Sequence, residues 1–199
     1  MDIARRAPLE AVTAQELASV LGTSTRPVFT YFRTLEEVRA AVVEEAGKIY
    51  GRYVERGLSM NPPFKGYGME TIRFAREEPN LFRLLFEQHG SSDSDFDHAV
   101  GALPFGKEND LAIIMRDYHA THEQAERLFQ QMWIHTYGLC VLSAARVCVL
   151  PDEEIARILG EVFTGMIHVL QSGDAFTTIR PVLKSDADAL RSQAPDLRD

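Results

Sequence analysis

Apolar residues recur along most of the chain at the three-to-four-residue spacing of amphipathic helices, and Gly, Pro, Ser, Thr and Asp interrupt them at intervals of helix length. Period-two alternation of β-branched residues is scarce, so an all-α fold is expected. Thr13-Ala14-Gln15-Glu16 has capping-box spacing, and Leu17, Ala18, Val20 and Leu21 follow before Gly22. This predicts a helix of about two turns. Ser24 is the expected cap of a second short helix, with Pro27 tolerated in its first turn, running to about Phe32. A second capping box, Thr34-Leu35-Glu36-Glu37, opens a long helix to near Gly57.

Beyond Pro62-Pro63 the pattern predicts a helix to Glu77, a break at Pro79, and a short helix through Phe82, Leu85 and Phe86. Gly90–Asp95 reads as a loop, and 107–118 as a weaker helical segment. Two strongly apolar helices are expected at 122–148 and 152–171, separated by Leu150-Pro151-Asp152. From Ser172 the tail is polar, with a candidate short helix within 178–191. The wide apolar faces, with Leu128, Phe129, Met132, Trp133 and Val147 on one helix and Ile155, Ile158, Leu159, Val162, Phe163, Met166 and Leu170 on the other, predict a four-helix bundle between two copies of the chain.

The 199 residues can bury a sizeable core, and no apolar run has the length of a membrane span. The beginning of the chain carries no signal-peptide pattern, so a cytoplasmic location is expected, with no membrane partner. Cys140 and Cys148, about 12 Å apart along a continuous helix, read as reduced packing residues. The net charge of −8 is uneven: residues 1–57 carry eight Lys and Arg against eight Asp and Glu, whereas 58–199 carry 13 against 21. No acid lies between Glu16 and Glu36, while Arg26 and Arg33 fall in that gap, so an acidic chain retains a local cationic surface.

Ala18, Gly22 and Val28 stand at the offsets a helix-turn-helix needs: a small residue for close approach, a positive-φ turn, and an apolar contact from the second helix. Thr23, Ser24, Thr25, Arg26 and Thr30 give that second helix an acid-free polar face suited to phosphates and base edges. Together Val12–Ala18, Gly22-Thr23-Ser24, Val28-Phe29-Thr30-Tyr31-Phe32 and Glu36-Glu37-Val38 resemble the DNA-binding domain of the TetR regulators, and Ser-Thr-Arg-Pro resembles one branch of that family. Phe74–Phe82 and Trp133–Gly138 are similar to segments of many TetR C-terminal domains.

The resemblance implies a DNA-binding domain over 1–55 and a helical ligand-binding and dimerisation domain over 56–199. It implies that Thr25, Arg26 and Thr30 face the major groove, with Thr13, Phe29, Tyr31 and Arg33 at or near the sugar-phosphate backbone. The implied partners are double-stranded DNA with a pseudo-palindromic operator, a second copy of the chain, and a small-molecule effector that releases the DNA. Two positions depart from the family: Leu35 replaces the usual phosphate-binding lysine, and Phe29 a frequent tyrosine. Only about a dozen residues precede Thr13, fewer than the family's first helix requires. These departures and the negative charge motivate an alternative beside the regulator reading, a ligand-binding or interaction dimer with impaired DNA binding.

Candidate effector contacts are Phe86, His89, Tyr118, Trp133, His135 and Tyr137; the acidic balance of the larger part favours a neutral or cationic ligand over an anionic one. His119, His122 and Glu123 have metal-like spacing but read as an exposed helix end. Asp93–Asp97 fails as a calcium loop because His98 and Pro104 occupy the glycine and glutamate positions. Neither a P-loop, a dinucleotide glycine motif nor a nucleophile elbow occurs, so no cofactor and no enzymatic activity are expected.

Overall fold

A computed structural model of the chain describes residues 1–22, 24–87 and 107–172, with the Gln171 side chain left out. The expected loop at Gly90–Asp95 and the expected helix within 178–191 lie outside these residues. Among the described residues the secondary structure is entirely helical, and no helix is long and apolar enough to cross a membrane. The chain divides into two units, Met1–Phe163 and the residues from Thr164 onward.

In the first unit, α1 (Asp2–Arg6) and a 3-10 turn (Leu9–Ala11) precede α2 (Ala14–Leu21) and α3 (Val28–Tyr31). The long α4 (Leu35–Leu58) is followed by α5 (Pro63–Glu77), α6 (Pro79–Phe86), α7 (Lys107–Tyr118), α8 (His122–Ala144) and α9 (Asp152–Ser172), the last running on into the second unit. Threonine hydroxyls open α2, α4 and α8: Thr13 accepts from Glu16 N, Thr34 from Glu37 N, and Thr121 from Gln124 N. Each satisfies an amide that has no partner inside its helix. The Glu37 carboxylate accepts from Arg33 N at 2.7 Å, which fixes the chain entering α4.

Ile3, Val12 and Val38 form a small core with Leu9, Ala11, Leu17, Val28, Phe32 and Leu35 packed around it. The larger core centres on α5, which packs against α4 and α8 and also meets α6 and α7. Ile72, Phe74 and Ala75 are inaccessible there, as are Leu81 and Phe82 of α6 and Ile114 of α7. At one end α4 and α5 touch backbone to backbone, because a Cβ on Gly57 would lie 2.6 Å from the Gly66 carbonyl oxygen. Only glycine permits that approach.

Glu70, wholly buried on α5, receives Arg56 Nε at 2.6 Å and Arg73 Nη1 at 2.5 Å. Arg73 Nη2 goes on to Asp152 at 2.6 Å, which Arg76 also meets at 2.8 Å. The two guanidiniums hold the Asp152 carboxyl below the usual carboxylate range. This chain of ion pairs ties α4 and α5 to the start of α9.

Three local expectations change. Ser24 does not cap α3; Pro27 occupies the N-cap position with no side-chain cap, and the first i→i+4 bond runs from Phe29 N to Thr25 O. The helix expected at 122–148 ends at Ala144, where Arg146 takes φ +55° and the Val147 and Cys148 amides turn back to the Leu142 carbonyl. Cys148 therefore lies beyond the helix and is exposed, while Cys140 is buried. Finally, Leu128, Phe129 and Met132 are buried in the chain's own core rather than left for a partner. Ile134, Leu142, Val147 and Val149 are the exposed apolar side chains of this region.

Candidate functional site

The first candidate surface is built by α2, the turn at Gly22, and α3. Gly22 adopts φ +63°, ψ 22°, and its amide bonds back to Ser19 O. A Cβ there would meet no other atom, so conformation rather than space calls for glycine. Val28 and Phe32 turn inward to the small core, which directs the other face of α3 to solvent. Arg26, Thr30, Tyr31 and Arg33 are exposed, Tyr31 to 87%; Phe29 is at the exposed margin and Thr25 is half-buried. The Thr30 hydroxyl donates to Arg26 O at 2.9 Å on this exposed face.

Arg26 and Arg33 stand apart from most other arginines of the unit. Arg5 is held by Glu78, Arg39 by the carbonyls of Glu10 and Val12, and Arg56, Arg73 and Arg76 by the buried ion-pair chain. Among the described residues no carboxylate pairs with the Arg26 or Arg33 guanidinium. Ser24 is exposed beside them, and Thr13 is committed as the α2 cap; Thr23 lies outside the described residues.

The second candidate site lies inside the larger core, where Tyr50, Tyr67, Thr71, Asp110 and Cys140 bring polar groups from α4, α5, α7 and α8 together. Tyr50 Oη is 3.4 Å from Tyr67 Oη and 3.3 Å from Thr71 Oγ1, and Thr71 donates to Tyr67 O. Burial raises the pKa of both phenols and keeps them protonated, and the charge of Asp110 adds to this in each. Asp110 is only 4% exposed, and burial pushes its carboxyl up to about 7. Burial likewise pushes the Cys140 thiol up, so it is a protonated thiol at neutral pH.

An aromatic layer adjoins these groups. Phe86 meets Tyr50 edge-on at 5.3 Å and stacks on Phe82 at 5.0 Å; Phe82 is 5.9 Å from Tyr137, which stacks on Trp133 at 4.9 Å. Three of the expected effector contacts, Phe86, Trp133 and Tyr137, thus belong to one aromatic set. Tyr118 instead packs on Phe163, which neighbours Phe64. His135 is exposed, with Nδ1 2.8 Å from Gln131 O of its own helix, and His89 lies outside the described residues. No group of His, Cys, Asp and Glu that could hold a metal occurs among the described residues.

The sequence reading did not single out Tyr50, Tyr67 or Asp110. A signal existed for the last: Asp110 shares the buried face of α7 with Leu111 and Ile114, where an isolated acid is out of register with its surroundings.

Comparison of the chain with family models, with curated proteins and with solved structures finds no match.

Proposed function

We propose that the chain is a DNA-binding transcriptional regulator of the TetR type, a dimeric repressor released by a small-molecule effector. The observation that carries this reading is the pair Arg26 and Arg33, exposed and without a carboxylate partner among the described residues, on either side of a short helix that follows a positive-φ glycine. α2 and α3 then act as a helix-turn-helix. Arg26 supplies a fork suited to guanine, the Thr30 methyl suits a thymine methyl, and Arg33 and Tyr31 lie toward phosphates.

Ile134, Leu142, Val147 and Val149 support a second copy as partner, because apolar side chains exposed on α8 and on the turn beyond it gain by being covered. Dimerisation would set two recognition helices about one DNA turn, ~34 Å, apart. α4 couples the two sites: Leu35 and Val38 belong to the small core, while Tyr50 and Val54 belong to the larger one. An effector that prefers one position of α4 would shift the spacing of the recognition helices by its differential affinity alone.

The single-turn length of α3 favours a second reading, an effector-binding dimer without DNA affinity. Selection from a randomised duplex pool with the purified protein separates the two. The regulator reading predicts enrichment of an inverted repeat with half-sites one turn apart; an unenriched pool after repeated rounds supports the second reading.

A further inference from the structure

Two residues one turn apart on α6 each close the end of another helix. The last four carbonyls of α8 are all occupied: Ala145 N reaches Val141 O, the Val147 and Cys148 amides reach Leu142 O, Arg146 N reaches Ser143 O, and Arg83 Nη2 donates to Ala144 O at 2.8 Å. Asn80 Nδ2 donates to Arg5 O at 2.9 Å, a carbonyl in the last turn of α1 with no amide of its own helix to take. Arg83 Nη1 donates to Asn80 Oδ1 at 3.1 Å, which joins the two caps. A guanidinium only donates and a carbonyl only accepts, so one orientation of the Asn80 amide serves both. The Arg5 side chain meets Glu78, the residue before α6, at 3.0 and 2.9 Å. On its inner side α6 is anchored in the larger core by Leu81, Phe82 and Leu84.

We infer that the first turn of α6 couples the end of α8 to the small core beneath α3, by a route that does not pass through α4. Loosening of the end of α8 reaches α1 through the Arg83–Asn80 bond, because linked hydrogen bonds strengthen one another and each holds its neighbour in place. α1 carries the effect onward: Ile3, two residues before Arg5, belongs to the core that Val12, Val28, Phe32 and Val38 share. This coupling stands on the fold alone, whether or not α3 binds DNA.

Amide hydrogen exchange of the full chain tests it, with peptides from residues 1–12 and 139–150 read against α5 as the reference. Asn80→Asp leaves Arg83 an acceptor but cannot donate to Arg5 O, and exchange in 1–12 should rise about fivefold relative to α5. Arg83 makes no bond to α1 of its own among the described residues. Arg83→Met, which keeps the aliphatic stem, should nevertheless accelerate 1–12 by about threefold as well as 139–150. In the variant that carries both substitutions, 1–12 should exchange no faster than in Asn80→Asp alone, since the bond through which Arg83 acts is already gone.

Unchanged exchange of 1–12 in either single variant, or additive acceleration in the double variant, would overturn the coupling. So would equal acceleration of α5, the mark of a general loss of stability. The two single variants are independent, so the failure of one to fold leaves the other to decide.

Discussion

The Arg39 guanidinium donates to the Val12 carbonyl at 3.3 Å, and so joins the residue that precedes the α2 cap to the long helix α4. Its other arm reaches Glu10 O at 3.3 Å. Two bonds from one planar group set the angle between the short-helix pair and α4, the geometry on which presentation of Arg26 depends.

Arg39→Met, which keeps the aliphatic stem, should lower stability by about 1–2 kcal/mol in urea unfolding, the scale of two part-exposed hydrogen bonds. Amide exchange in α2 should accelerate more than in α5. Equal acceleration throughout would mean that Arg39 supports the whole unit rather than this junction.

Gly22→Ala should cost about 1–2 kcal/mol although its methyl has open space, because an L-residue is strained at φ +63°. Thermal unfolding monitored by circular dichroism measures it, and Gly22→Asn should lose less than Gly22→Ala. A neutral alanine variant would show that the turn can relax to negative φ.

Asp110 predicts a pH dependence of unusual sign for a carboxyl. Its folded-state value is about 7 against 3.8 ordinarily, so between those limits the folded chain keeps a proton that the unfolded chain has lost. Stability therefore falls as pH rises from about 4 to about 7, by on the order of 4 kcal/mol. Asp152 works in the opposite sense: its stabilisation by Arg73 and Arg76 is present above its unfolded value and is lost as pH falls through its depressed one. Urea denaturation of Asp110→Asn should show a gain at pH 8, little change at pH 4, and a flatter profile between.

The ion-pair chain around Glu70 should respond asymmetrically. Replacing both Arg56 and Arg73 by Met strands a carboxylate with no exposed surface and should cost about 3–5 kcal/mol. Glu70→Gln should cost less, because both guanidiniums retain access to solvent. Chemical denaturation of the two variants compares them, and the reverse order would contradict the account.

The helix starts were legible in the sequence because capping is local: Thr13 and Thr34 sit beside the amides they satisfy, and Gly22 adopts the positive φ that ends α2. The end of α8 was not, since the residue that turns to positive φ is Arg146, which carries no glycine signal. Ser24 lost its capping role because Pro27 occupies the N-cap of α3. Which apolar face serves the chain's own core depends on where α5 lies, so Leu128, Phe129 and Met132 were assigned outward from periodicity and lie inward. Of the aromatic set in the larger core, Phe86, Trp133 and Tyr137 were named in the sequence by residue type, as candidate contacts rather than as neighbours of one another. Asp110 and the Tyr50–Tyr67 contact were not, because they meet only when α4, α5 and α7 are packed.

The central claim is sequence-selective DNA binding through α3. It is tested most directly by fluorescence anisotropy with the duplex that selection enriches and an unrelated duplex of equal length, across a salt series, for the unaltered chain and for Arg26→Ala. The account predicts tighter binding to the selected duplex and a loss of about 1–3 kcal/mol of that preference in the variant, with affinity for both duplexes falling as salt rises. Equal affinity for the two duplexes, or an Arg26→Ala variant that discriminates as well as the unaltered chain, would contradict it.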